Sequence, residues 1–282
     1  MRTLRLFTAL AALSLGACTA QFTEQQLIRP IPGGTLSPQA VAAAAPAYTL
    51  TRHSIAAADG TRLHAVLLRQ PGARATILYF GGNGYTIERF GAATAAIFQR
   101  LGVDLMIVDH RGYGQSQGTP TVARIEADGL AAFDYLAALP GPGPSAIVPH
   151  GQSLGSFIAG HVAANRPAAA VVLESSVTTT EEWVRSQTRG AMGGLLRVEI
   201  GDSLRGRGNL ANVARIEEPL LLLVGSSDGT TPPRFSEALY AASPLPAHRK
   251  VLAVIEGAGH NDALLRPEAA VAYTRFLGAA LR

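Results

Sequence analysis

Three residues in this chain could together move an acyl group. Ser153 lies in Gly151-Gln-Ser-Leu-Gly155, Asp228 in Gly225-Ser-Ser-Asp-Gly229, and His260 in Gly257-Ala-Gly-His-Asn-Asp262. A serine hydroxyl is a poor nucleophile near neutral pH. It needs a base to take its proton, and that base needs an acid group to orient it. Such chemistry also needs backbone N–H groups where negative charge develops on the attacked carbonyl.

The G-x-S-x-G spacing is weak alone, and here it occurs three times: around Ser116, Ser153 and Ser227. Only the middle copy has the flanks that give it meaning, a strand before and a helix after. The apolar run Ala146-Ile-Val precedes it, and Leu154, Phe157, Ile158 and Val162 follow at helical spacing. Ser116 runs on into Thr119-Pro120 and Ser227 into Thr-Thr-Pro-Pro. Both are read as turn residues. A serine on such a sharp turn projects from the sheet edge. The Leu154 N–H behind it opens a helix whose positive end favours an oxyanion.

In strand–turn–helix hydrolases the triad runs Ser, then acid, then His, and that order sorts the candidates. Of seven histidines, His53, His64, His110, His150 and His161 come too early in the chain. His248 has the setting of a solvated residue before a strand. His260 is left, in a loop after the last predicted strand. Asp228 is the expected acid, directly after an apolar run and stiffened by Pro232 and Pro233. Glu174 ends an earlier strand and is the rival. Asp202 lies in an insertion, and Asp262 is too close to His260.

Alternating strands and helices have to position these groups. Tyr48–Ile55 and Arg62–Arg69 flank Asp59-Gly60, a hairpin signal. Ala75–Phe80, Val103–Val108, Ala169–Leu173, Pro219–Val224 and Lys250–Ile255 read as further strands, most of them continuous apolar runs of the kind buried on both faces. Helical patterns cover Thr86–Arg100, Val122–Leu139, Arg234–Ala242 and Pro267–Leu281. This alternation predicts a mostly parallel sheet of eight strands with helices on both faces. Ligands of such sheets bind beyond the carboxyl ends of the strands, where all the polar loops fall. Gly81-Gly82-Asn83-Gly84, after one strand, predicts a second oxyanion donor at the Asn83 N–H. Asp109 and Arg111 are expected to hold their loop by a charge-assisted contact. Residues 177–218 interrupt the alternation, carry the only tryptophan, Trp183, and are expected to cap the pocket. His150 reads as a core or pocket-wall residue, and Pro149 beside it is out of place in a central strand.

Composition narrows the class. The 282 residues are 48% hydrophobic and 16% charged, enough for one large core. A net charge of +4 with scattered cations leaves no nucleic-acid footprint. No cluster of His, Cys and Asp has metal-ligand spacing, so no metal or cofactor is expected. The first residues read as a signal peptide: Arg2 and Arg5, an apolar core from Leu6 to Leu15, then Leu15-Gly-Ala-Cys18. That core is too short to cross a membrane, which takes about 20 residues. Prolines and glycines between Thr19 and Pro46 predict a tether over 18–47 whose second half is expected to lie on the domain surface, leaving 48–282 as the folded domain.

As a set, Phe80-Gly-Gly-Asn-Gly, Asp109-His-Arg-Gly-Tyr-Gly, Gly151-Gln-Ser-Leu-Gly-Ser, Gly225-Ser-Ser-Asp-Gly and Gly257-Ala-Gly-His-Asn-Asp resemble the α/β-hydrolases. The resemblance is to the single-domain bud-emergence-type serine hydrolases related to depalmitoylases, and it spans Tyr48 to Arg282. It implies an α/β-hydrolase fold, a Ser153–Asp228–His260 triad and an oxyanion hole from Asn83 and Leu154. Departures are Gly81, where many relatives carry His, His110, where Tyr is usual, and Pro149. Leu15-Gly-Ala-Cys18 resembles a bacterial lipobox, which implies lipidation of Cys18, the only cysteine. Thr19 in place of Asp then implies the outer membrane, with the protein anchored in the cell envelope. The expected reaction is cleavage of a small or lipid carboxylic ester or thioester through an acyl-enzyme. A non-catalytic envelope binding protein and an acyltransferase fit the same residues.

Overall fold

A computed structural model of the chain describes residues 18–140, 143–188 and 196–281. The expected signal peptide over 1–17 lies outside the described residues, as do Met192 and Leu195 of the insertion. In chain order the elements begin with β1 (Cys18–Phe22), α1 (Glu24–Leu27), α2 (Pro38–Ala44), β2 (Thr49–Ala56), β3 (Arg62–Arg69) and β4 (Thr76–Phe80). Next come α3 (Ile87–Arg100), β5 (Asp104–Val108), α4 (Val122–Ala138), β6 (Ile147–Gln152), α5 (Leu154–Ala163) and β7 (Val171–Glu174). The insertion holds α6 (Thr180–Gln187), β8 (Leu196–Ile200) and α7 (Leu210–Val213). The chain then adds β9 (Leu220–Gly225), α8 (Pro233–Ala242), β10 (Lys250–Ile255) and α9 (Pro267–Ala280).

Eight strands form one sheet in the order β10-β9-β7-β6-β4-β5-β3-β2. Only the β2–β3 and β3–β5 pairings are antiparallel. The hairpin turns where Asp59-Gly60 predicts it, with Gly60 at φ 81° and Asp59 Oδ1 accepting from the Thr61 N–H at 3.1 Å. The remaining pairings are parallel, so β4, β6, β7, β9 and β10 all deliver their carboxyl ends to one rim. Alternate residues face opposite helix layers: Leu78 and Phe80 join the core under α4 and α5, while Ile77 and Tyr79 join that under α3 and α9. Threonines cap the helices that leave the rim. Thr86 Oγ1 accepts from the Arg89 N–H at 3.4 Å, and Thr121 Oγ1 from the Arg124 N–H at 3.2 Å.

Pro149 stands opposite Leu78 in β4, and pairing of β6 with β7 begins one residue later, at His150 and Val172. The missing N–H therefore falls at the start of that ladder, where it deletes least.

Residues 18–47 pack on the domain from β1 onward, not over their second half alone. Strand β1 pairs in parallel with β8 of the insertion, from Cys18 opposite Leu196 to Phe22 opposite Ile200. Leu27, Ile28, Leu36 and Val41 are buried, each worth about 1.5–3 kcal/mol of apolar burial. Pro30, Pro32, Gly33 and Gly34 rule out a long regular element here, yet they do not prevent an irregular chain from packing. The segment is an arm laid across the domain.

Candidate active site

Ser153 stands alone between the end of β6 and the start of α5, at φ 52° and ψ −115°. For a residue with a Cβ such a backbone costs about 1–3 kcal/mol, and it persists only where the surroundings enforce it. A Cβ on Gly155 would collide with the Phe80 carbonyl oxygen, and one on Gly151 with that of Gly155. Glycine at both positions lets strand and helix close around the turn. Ser156 Oγ donates to the Ser153 carbonyl at 2.6 Å. Asn209, wholly buried and carried by the insertion, donates to the Ser156 carbonyl at 2.9 Å. The turn is thus braced from below.

His260 Nε2 lies 3.0 Å from Ser153 Oγ, and His260 Nδ1 lies 2.9 Å from Asp228 Oδ2. The three side chains, 75 and 32 residues apart in sequence, converge at the rim (228 − 153 and 260 − 228). Asp228 has no exposed side-chain surface. Its Oδ1 accepts from the Thr230 and Thr231 N–H groups at 2.9 and 2.7 Å, and its Oδ2 from the Thr231 hydroxyl at 2.7 Å. Burial pushes the Asp228 carboxyl up. Hydrogen bonds from His260 and Thr231 outweigh that effect and hold it below its ordinary value, so it stays ionised near neutral pH. An ionised Asp228 orients the imidazole with Nδ1–H toward itself, which leaves the Nε2 lone pair for the serine proton. The His260 carbonyl is held by Gln152 Nε2 at 3.0 Å and Ser175 Oγ at 3.4 Å.

The glycine-rich loop after β4 passes directly over the serine, for a Cβ on Gly82 would lie 3.4 Å from that of Ser153. His110, buried, donates from Nε2 to the Gly81 carbonyl at 2.7 Å. Burial lowers the pKa of His110, which keeps it neutral. The Asn83 side chain is gripped from two sides. Its Oδ1 accepts from Tyr113 Oη at 2.7 Å and from the Arg29 N–H at 3.0 Å, and its Nδ2 donates to the Leu27 carbonyl at 2.8 Å. Asn83 and Leu154 both line a cleft of about 320 Å³ together with Ser153 and His260. Trp183 and Val177 of the insertion form another wall, with Trp183 Nε1 donating to the Thr230 carbonyl at 3.0 Å.

Other candidates fall elsewhere. Glu174 does not reach His260; its Oε2 lies 3.1 Å from Nε2 of His150, inside the core. Asp109 and Arg111 do not pair with each other. Asp109 accepts from the Ile87 and Gln115 N–H groups, and Arg111 bonds Asp128 and Asp59. Their loop is held by both, through separate partners. Ser116 is a turn residue, donating to the Asp109 carbonyl at 2.7 Å, and Ser227 and His248 are exposed. Among the described residues no three of His, Cys, Asp and Glu are grouped to hold a metal ion. Sequence reading missed Gln26, Leu27 and Arg29, which the arm brings to the cleft, and Thr231, which bridges acid and base. The Asp-Gly-Thr-Thr turn signals a threonine near the acid. Nothing local marks the first half of the arm.

Comparison with known proteins agrees with this architecture. Residues 71–198 match the family model Hydrolase_4, described as serine aminopeptidase, S33. The match includes Ser153 and Asn83 and stops short of Asp228 and His260. An uncharacterized protein of Mycobacterium tuberculosis is 32% identical over 188 residues, covering 64% of this chain and 61% of the relative. Human alpha/beta hydrolase domain-containing protein 17B is 28% identical over 204 residues, covering 72% of this chain and 66% of its own length. The chain thus spans less than two thirds of the length of these curated relatives. The esterase Pf2001 of Pyrococcus furiosus superposes with a TM-score of 0.71 at 16% identity, over 90% of this chain and 99% of the esterase. The fold is that of the α/β-hydrolases.

Proposed function

We propose that this chain is a serine hydrolase that cleaves carboxylic esters or thioesters through an acyl-enzyme. The continuous relay from Asp228 through His260 to Ser153 carries the reading, with 2.9 and 3.0 Å between successive partners. In the first step His260 Nε2 takes the hydroxyl proton as Ser153 Oγ attacks the carbonyl carbon. The N–H groups of Asn83 and Leu154 receive the oxyanion; losing one such donor costs about 2.7–4 kcal/mol of barrier. His260 then passes the proton to the departing alcohol or thiol. Water, deprotonated by the same imidazole, releases the acid and restores the serine.

The test is turnover of matched oxyester, thioester and aminoacyl-amide substrates by wild type and Ser153→Ala. Ester or thioester cleavage that vanishes in Ser153→Ala is the expected result. Cleavage of the amide alone would contradict the ester reading, and undiminished cleavage by Ser153→Ala would contradict the nucleophile.

We further propose that Cys18 carries a lipid that anchors the protein in a bacterial envelope, facing the periplasm. The lipobox-like Leu15-Gly-Ala-Cys18 supports it. Two or three acyl chains would hold the protein durably, at about 0.8 kcal/mol per buried CH₂. Cys18→Ser should move the protein from the membrane to the soluble fraction, and unchanged fractionation would overturn the anchor.

A further inference from the structure

We infer that Arg29 is a substrate-binding residue, selecting acyl substrates that carry an anionic oxygen group, carboxylate or phosphate, near the scissile bond. The inference rests on the acyl-transfer reading above and concerns what that site accepts.

The arm is built into the cleft. The Arg29 N–H is shared between Asn83 Oδ1 at 3.0 Å and Tyr113 Oη at 2.9 Å, and Tyr113 is wholly buried. One residue pair back, the Leu27 carbonyl takes a hydrogen bond from Asn83 Nδ2 at 2.8 Å. The backbone from 27 to 29 is therefore pinned to the same asparagine that borders Ser153, and the Arg29 side chain departs from a fixed point.

That side chain is exposed and forms no ion pair with the described residues. Among the described residues the cleft lining contains no Asp or Glu, and Arg29 is the only permanently charged residue there. A guanidinium presents a planar fork of donors that matches a carboxylate or phosphate bidentately. A ligand bound against Leu27, Phe157, Val177 and Trp183 would exclude water from that pair and strengthen it.

The experiment uses the full chain and two ester pairs. Mono-4-nitrophenyl glutarate and its methyl ester place or remove a charge on the acyl side. Butyrylglycerol phosphate and butyrylglycerol do so on the alcohol side. The wild type is expected to favour the charged member of at least one pair, which also tells which side Arg29 reads. A hydrogen bond to a charged group is worth enough that Arg29→Ala should lower the charged-to-neutral ratio of kcat/KM about tenfold. Arg29→Lys should recover part of the ratio, and Arg29→Glu should fall below Arg29→Ala. Added salt should erode the wild-type preference and leave that of Arg29→Ala flat. Each variant keeps the backbone N–H that Asn83 and Tyr113 bind, so the arm stays docked. A ratio near one for both pairs, or a ratio indifferent to residue 29 while Ser153 still reacts with a fluorophosphonate, would overturn this inference alone. Absence of both turnover and Ser153 modification would remove the acyl-transfer reading and this inference with it.

Discussion

Two histidine–carboxylate pairs stand at the same end of this sheet, and only one of them faces an open cleft. His260 meets Asp228 at 2.9 Å and turns its other nitrogen to a serine hydroxyl in an open cleft. His150 meets Glu174 at 3.1 Å and turns its other nitrogen to the Tyr273 hydroxyl, also at 3.1 Å. An Nε2–H tautomer satisfies both of its partners. That second group is wholly inside, packed edge-on against Tyr79 and Phe98. Both pairs join an imidazole to a carboxylate, so what separates them is where the second nitrogen points and whether a substrate can reach it. A buried pair specifies the core, and a pair at the rim with a free lone pair moves protons.

The comparison is broken most severely at the rim. Ser153→Ala or His260→Ala should lower kcat/KM on an activated ester by about 10⁴-fold or more, read by initial rates. Asp228→Asn should follow with a loss of about 10³–10⁴-fold, because the amide favours the wrong imidazole tautomer. Both effects should come without loss of the folding transition. The buried pair should behave in reverse. Glu174→Leu leaves His150 without its acceptor, and the urea midpoint should report about 3 kcal/mol lost while Ser153 remains reactive. A collapse of reactivity in folded Glu174→Leu would mean the two pairs are not separate.

The smallest expected effect concerns Asp109, whose carboxyl burial pushes up to about 6 despite hydrogen bonds from Ile87 and Gln115. A carboxyl raised in the folded state binds its proton more tightly there than in the unfolded chain. Its contribution is complete below the unfolded value near 3.8 and is lost as pH rises through about 6. Wild type should therefore lose about 2 kcal/mol between pH 4 and 7 relative to Asp109→Asn, measured as paired urea midpoints. No difference between the two pH profiles would place Asp109 among ordinary carboxylates.

How much could be read in advance follows the range of the contacts. Ser153, Asp228 and His260 each sit in a glycine-bearing turn directly after an apolar run, so local pattern and place in the candidate site coincide. The eight strands were legible for the same reason. Glu174 was a credible acid because nothing local says which histidine a strand-end carboxylate will meet. The first half of the arm was illegible: Leu27 and Arg29 meet Asn83 more than fifty positions away, and Glu24 Oε1 accepts from the Val122 N–H across 98. Strand β1 pairs with β8 in an insertion that no periodicity marked. Prolines and glycines report the absence of long helices and strands, and say nothing about docking.

The central claim is that Ser153 is the nucleophile, activated by His260. Its most direct test is peptide mapping after reaction with a fluorophosphonate, on wild type, Ser153→Ala and His260→Ala. One stoichiometric adduct is expected on the peptide bearing Ser153, with no adduct in Ser153→Ala and labelling slowed severely in folded His260→Ala. An adduct on another serine, or folded wild-type protein that does not react, would contradict it.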